Sequence, residues 1–469
     1  MEWVLALVLL VMAYAIVALA VYRKRNELLE RLRVDVRADG ELVGVQTENP
    51  EVRAGLNPVG RFLVDNVVFY GPIIAIKTSK VGFFDKFTVL SLPLRIYGTI
   101  GVIVVAIVSV LITASLFFAL NMTIVAPPAP TGIYKPQNIL LIPGLNEFVP
   151  STIAVWLALI IAIGIHEFGH GILCRIEKIA VKGVGALIAV VPIGFFVEPD
   201  EAELDKQKGL PKMRMFGAGI TNNLAIGVVC IVLMVALLGT AVPTGAPVIQ
   251  GIYQNYSADI AGVPPNSVIV SLNGADVYTR NEVSALLNQT RPGDTISLGV
   301  LSGGVEGTYN LTLTDWPDTT GPEPRTSGFM GIYYYDGNAV LDTIKTTLSP
   351  IGFLRIMTVP FDTTFGGQLL RIIAFDTPDT ANYVVPAPWI FWGLVHLLFW
   401  VGWININVGI FNALPMVPLD GGYILKEAID RLFEKRGLAK YSTPVVSVIS
   451  SVMLVMLFAL ITLPYLLNG

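Results

Sequence analysis

Long apolar runs alternate with polar stretches along the chain, and six runs stand out: Trp3–Val21, Tyr97–Leu120, Ile153–Cys174, Met215–Leu238, Ile390–Phe411 and Val445–Leu463. Each holds about 20 residues, the length an α-helix needs to cross a hydrocarbon core of about 30 Å. Six membrane-spanning helices are therefore predicted. The stretch between the fourth and fifth runs has a different rhythm. It predicts short strands at Val248–Tyr253, Ser267–Leu272, Ile296–Leu301 and Tyr309–Leu313, a turn at Asn273-Gly274, and a helix over Arg280–Leu287. Strand-like pieces also occur at Asn66–Tyr70 and Pro72–Lys77, while Ala126–Pro130 reads as a stiff linker. The apolar patches of Leu348–Phe375 are broken by Pro350, Arg355, Pro360, Asp362 and Arg371, which predicts an interfacial or extracytoplasmic segment.

These elements predict a polytopic α-helical membrane protein of about six transmembrane helices, with a small inserted α+β domain outside the cytoplasm. The divisions are an N-terminal transmembrane anchor at 1–25, a cytoplasmic segment of unassigned role at 26–92, and a first membrane part at 93–240 with a hairpin at 180–198. The small domain follows at 245–315, an extracytoplasmic or interfacial linker at 316–387, and a second membrane part at 388–469. Composition agrees. The 469 residues are 54% hydrophobic and only 14% charged, and the mean hydropathy is +0.67, too apolar for an ordinary soluble protein.

Charge orients the spans. Arg23, Lys24 and Arg25 follow the first, Arg175, Lys178 and Lys182 follow the third, Lys206, Lys208, Lys212 and Arg214 precede the fourth, and Arg431, Lys435, Arg436 and Lys440 lie between the last two. Alternating spans put all of these on one side, which the positive-inside rule makes cytoplasmic. Both termini then lie outside, as do the four N-x-[ST] sequons at Asn121, Asn255, Asn288 and Asn310. A net charge of −4 gives no support to nucleic-acid binding. The two cysteines, Cys174 and Cys230, both in apolar segments, indicate no disulfide framework. The first run exceeds a typical signal-peptide core and lacks an A-x-A site after it, so it is read as a retained anchor.

Two of only three histidines stand four residues apart in His166-Glu167-Phe168-Gly169-His170, inside the third run. On a helix that spacing puts both imidazoles on one face, where they can hold one tetrahedral zinc, with Glu167 able to reach a water on the metal. Ionisable groups are costly in hydrocarbon, so the cluster is read as the working centre of a hydrolase. Zinc lowers the pKa of its bound water from about 15.7 to about 7, and Glu167 would take the proton and deliver it to a leaving amine. A catalytic zinc needs a third protein ligand. Asp420, in Pro418-Leu419-Asp420-Gly421-Gly422, is first in order, ahead of Glu198, with Asp200 and Cys174 also open. His396, far up the fifth run, reads as a packing or substrate-adjacent group.

Taken in order, these motifs resemble the site-2 proteases, the intramembrane zinc metalloproteases of peptidase family M50, in their archaeal and eukaryotic-like branch. The resemblance rests on the HEFGH run and on Gly217-Ala-Gly-Ile-Thr-Asn-Asn223 opening the fourth span. Asn412-Ala-Leu-Pro-Met-Val-Pro-Leu-Asp-Gly-Gly422 closes the fifth, and Val191–Glu198 is similar to the hairpin before the fourth. The inserted segment resembles a PDZ domain through Ala261-Gly262-Val263, Asn266–Gly274 and Arg291–Asp294. The likeness covers about Ile153 to Asp430. It implies one Zn²⁺ per chain on His166, His170 and Asp420, with Glu167 as base. It also implies that Asn223, and Asn412 with Pro415, position the substrate strand or stabilise the oxyanion. One departure is that the common G-P-x-x-N lacks its proline here, as Gly219-Ile-Thr-Asn-Asn223.

The implied activity is cleavage of transmembrane segments of membrane proteins already trimmed by a first cut, in an archaeal or bacterial cell membrane, with peptide C-termini as candidate partners of the PDZ-like segment. A catalytically inactive adaptor that binds client helices is the competing reading, and the intact His166, Glu167, His170 and Asp420 argue against it. A metal transporter would carry carboxylates and histidines along several spans, and these spans have too few.

Overall fold

The computed structural model describes residues 2–32, 35–36, 42–43, 55–130, 132–138, 141–317, 326–362 and 364–468. Parts of the predicted 26–92 segment and of the 316–387 linker therefore lie outside the described residues. The helices used below are α1 (Glu2–Leu32), α2 (Ser91–Val125), α3 (Ile153–Ile176), α4 (Leu210–Leu238), α5 (Arg280–Leu287), α6 (Phe391–Asn412), α7 (Asp420–Glu434) and α8 (Ser442–Asn468). The strands are β1 (Val67–Tyr70), β2 (Ile73–Thr78), β3 (Val181–Ala189), β4 (Val191–Pro199), β5 (Val248–Ile252), β6 (Val268–Leu272), β7 (Thr295–Ser302), β8 (Val305–Thr312) and β9 (Ile332–Tyr335).

Five helices among the described residues are long and apolar enough to cross a membrane: Gly82–Val125, Ile153–Ile176, Leu210–Leu238, Phe391–Asn412 and Ala439–Asn468. They coincide with the second to sixth apolar runs. The first run lies on α1, where the side chains of residues 2–10 are outside the described ones.

The chain divides into two compact units. One comprises residues 1–130, 159–226 and 405–469, and the other 131–158 and 227–404. In the first unit, α2 shows bare apolar side chains along much of its length, including Ile96, Ile100, Ile103, Ile107 and Phe118. Only 6% of its most apolar window is buried, against 44% for α3, so α2 is a lipid-facing wall and α3 an inner helix. Helices α2, α3 and α4 meet through small residues, as membrane helices do. Gly98 faces Leu173 and the Arg214 stem, Gly101 faces Thr221, and a Cβ on Gly169 would stand 2.7 Å from Asn222 Nδ2 and 2.8 Å from the Ala218 carbonyl. Below the α3 terminus, Glu177 is only 5% exposed. It takes Arg214 Nε at 2.8 Å and lies 3.4 Å from Arg95 Nε, so one buried carboxylate joins α2, the end of α3 and the start of α4.

The same unit holds an antiparallel sheet in the order β1-β2-β3-β4, leaving β4 at one edge. The β3–β4 turn puts Val190 at a φ of 69°. Phe84 enters the space opened by Gly171 and joins Ile172, Leu173 and Ala218 in an apolar cluster beside α3. After α6 the chain makes a short turn into α7, and Gly421 and Gly422 lie so close to the backbone of Ala413, Leu414 and Met416 that no side chain fits there.

The second unit contains an antiparallel sheet ordered β8-β7-β6-β5-β9, with Ala275–Asp276 also pairing to β6. The predicted strands and the helix Arg280–Leu287 all appear. Asn273 and Gly274 both take positive φ, 51° and 77°, as a two-residue hairpin turn of that sequence requires. Strand β9 is a correction: residues 316–387, read as linker, supply the edge strand that pairs with β5. Ile332 and Tyr335 are buried while Tyr333 is exposed, and a register shift between Tyr333 and Tyr334 breaks the strict alternation by which a strand is read from sequence. Helix α5 starts with a full capping box between Thr279 and Glu282. The Leu348–Phe375 region forms two short helices, Pro350–Thr358 and Phe365–Leu370.

Candidate metal centre

Apolar sequence makes α3 a helix, and the four-residue spacing puts His166 and His170 on the same side of it. Both are buried, 8% and 9% exposed. Asp420 enters from the first turn of α7, whose N-cap is Leu419. Its Oδ2 lies 3.0 Å from His166 Nε2 and 3.2 Å from His170 Nε2, and the two Nε2 atoms are 3.2 Å apart. Ligands held about 2.0–2.1 Å from a tetrahedral zinc stand about 3.3 Å from one another, so the triangle has the size of one face of such a site.

The protonation pattern agrees. His170 Nδ1 is 2.8 Å from the Met215 carbonyl oxygen, which can only accept. Nδ1 therefore carries the hydrogen, and Nε2 turns a bare lone pair toward Asp420. Asp420 Oδ2 accepts no aligned hydrogen bond although it is buried. Lone pairs converging at these distances repel unless a cation lies among them. Two imidazoles and a carboxylate are a donor set that suits zinc. Gly219 leaves the room: a Cβ there would lie 2.6 Å from both Nε2 atoms.

Glu167 points toward the sheet. Its Oε2 accepts the Val197 N–H of edge strand β4 at 3.0 Å, and it lines a cavity of about 510 Å³ with Phe62, Phe83, Phe168 and Phe196. The other sequence candidates are engaged elsewhere. Glu198 pairs with Lys77. Asp200 caps the helix Glu201–Lys206 by accepting from Glu203 N. Cys174 is fully buried in the apolar cluster with Phe84. His396, in the second unit, bonds to the Ile372 carbonyl. Asn223 lies 3.4 Å from His166 Nδ1. Asn222 accepts from Tyr97 Oη at 2.9 Å and donates to the Ile165 carbonyl at 3.2 Å. Asn412 donates to Val408 one turn back in its own helix. Pro415 sits half-buried in the turn before Asp420.

Three groups escaped the sequence reading. The Met215 carbonyl and the Val197 N–H are backbone atoms and leave no residue-type signal. Gly219 had one, as the last of three small residues in Gly217-Ala-Gly.

Apolar helices around a buried His-His-Asp triangle with an adjoining glutamate define a membrane protein with a metallohydrolase-like centre. The sequence model of Peptidase family M50 matches residues 154–460, and the chain belongs to that family. It is 25% identical over 222 residues to zinc metalloprotease RasP of Geobacillus kaustophilus, covering 45% of this chain and 49% of that protein. The probable protease eep of Enterococcus faecalis is 24% identical, with 45% and 49% covered. The uncharacterized protein MJ0971 of Methanocaldococcus jannaschii is 24% identical over 384 residues, 79% of this chain and 84% of that one. Against RasP and eep, the chain spans about half the length of the curated relatives it matches.

Proposed function

We propose that the chain is a zinc-dependent intramembrane endopeptidase that hydrolyses peptide bonds in transmembrane segments of membrane proteins. The convergence of His166, His170 and Asp420 beside Glu167 carries this reading. A zinc ion held there would lower the pKa of a water molecule and polarise the scissile carbonyl. Glu167 takes the proton from the attacking water and passes it to the leaving amine. The Val197 N–H holds one carboxylate oxygen of Glu167, and the other would take the proton from the water. The aromatic cavity beside Glu167 can take an apolar substrate side chain, and a substrate helix must unwind locally to offer its peptide bond. Asn412 and Pro415, on the stretch leading into Asp420, would flank that unwound strand.

The basic clusters and the sequons support an active site open to the cytoplasmic side, with the small domain and both termini outside. A PDZ-like role for the small domain is supported by β9, an edge strand beside α5, joined by Ser284 Oγ and Tyr334 Oη at 2.9 Å. An added peptide strand would lie along such an edge. A catalytically inactive adaptor would have no use for three convergent ligands and a neighbouring carboxylate. In liposomes with a single-span substrate, Glu167→Gln should keep one zinc per chain while cleavage falls by about 10²–10⁴-fold. Undiminished cleavage by that variant overturns the mechanism.

A further inference from the structure

We propose that Asn223 is a positioning residue that fixes His166 as a metal ligand, rather than a group that touches substrate. The proposal rests on the zinc reading above.

His170 shows what each imidazole needs. A carbonyl acceptor at Nδ1 holds the hydrogen on that atom and frees Nε2 to bind metal. His166 has the same need, because its Nε2 lies 3.0 Å from Asp420 Oδ2 and 3.2 Å from the other Nε2. Its Nδ1 must then carry a hydrogen, and a buried N–H requires an acceptor. The group facing Nδ1 is the amide of Asn223, with Nδ2 at 3.4 Å. Asn223 is 0% exposed, and its Oδ1 has no hydrogen-bond partner. Oxygen and nitrogen of a side-chain amide have the same shape, and a half-turn about the last bond exchanges them. With Oδ1 turned to His166, the orphaned oxygen gains a donor and the ring gains its acceptor in one move.

Asn222 cannot share this task, since its amide already joins Tyr97 to the Ile165 carbonyl, one residue before His166. The adjacent asparagines thus divide the work: Asn222 holds the backbone that leads into His166, and Asn223 holds its ring. The two histidines also differ in how their orientation is secured. The acceptor for His170 is a main-chain carbonyl that no substitution removes, whereas the acceptor for His166 is a side chain that mutation can delete.

The test is zinc affinity of the full-length protein in detergent, by competition with a chromophoric chelator, with circular dichroism following the fold. Asn223→Leu keeps the volume and removes the acceptor, and should weaken zinc binding by about 10–100-fold. Asn223→Asp keeps an acceptor without an amide donor, and should bind zinc at the unaltered level. An oxyanion role predicts the opposite pattern, with zinc binding unchanged in both variants and cleavage lost in both. Unchanged zinc affinity in Asn223→Leu, or equal loss in Asn223→Asp, overturns the proposal. Should the leucine variant fail to fold, the aspartate variant decides it through cleavage, which is retained with zinc if Asn223 positions His166 and is lost with zinc still bound if Asn223 serves the oxyanion. Failure of the unaltered chain to bind zinc would instead overturn the metal reading.

Discussion

The helices that carry the histidine pair and the small sheet differ in the polar groups that they bury and in the faces that they turn outward. Along α3 and α4 the inside holds His166, His170, Thr221 and Asn223, the last at 0% exposure, while neighbouring α2 turns Leu111 and Phe118 outward at 60% and 68%. In the sheet, Ile269, Leu298 and Leu311 are at 0% exposure, and β8 turns Glu306, Thr308 and Asn310 outward in strict alternation. The medium explains the difference. Water drives apolar groups inward, whereas hydrocarbon makes polar groups expensive unless they meet each other inside. Apolar positions therefore locate the core of the sheet, whereas in the helices, where apolar residues lie both inside and outside, the buried polar positions with glycine are what mark the interior.

This contrast breaks most sharply at Asp420. Asp420→Ala should reduce zinc from one per chain to none by elemental analysis, and cleavage with it, while the sheet keeps its near-native spectrum. Retention of stoichiometric zinc would remove Asp420 from the ligand set. The converse probe is Leu298→Ala, which opens a cavity in the sheet core and should cost about 2–5 kcal/mol of that domain's stability. Limited proteolysis should then cut within 248–335 at lower temperature with zinc content unchanged, and a parallel loss of zinc would show that the two cores are not independent. The finest probe is Gly219→Ala. Its methyl would stand 2.6 Å from both Nε2 atoms, an overpacking worth about 1–3 kcal/mol, and should weaken zinc binding without lowering the temperature at which the sheet melts. Unaltered zinc affinity would mean that α4 does not press against the imidazoles.

Much of this was readable in advance, and the reasons differ by region. Helix α5 matches its expected range because Thr279 and Glu282 write the capping box into the sequence. The hairpin at Asn273-Gly274 was legible because its turn demands positive φ from both residues. Strand β9 was hidden, since a register shift between Tyr333 and Tyr334 breaks its alternation. At the site, His166, Glu167 and His170 declare themselves because four residues make one helical turn. Asp420 could only be ranked above Glu198, Asp200 and Cys174, and distance alone separated them: one meets the imidazoles, and the others are held by Lys77, by a helix N-terminus and by an apolar cluster.

The sequence by itself determined the apolar runs, the small strands, the histidine pair and the glutamate between them, because these follow from hydropathy and from periodicities of 3.6 and 2 residues. Only the tertiary structure decided the rest: Asp420 as the third corner, Met215 and Asn223 behind the two imidazoles, Val197 against Glu167, and Gly219 as the space between. Those partners stand from 31 to 254 residues away from His166 in the chain or act through backbone atoms. No local pattern encodes such a meeting, which arises when close-packed helices bring their few polar groups together in a medium that offers them no other partner.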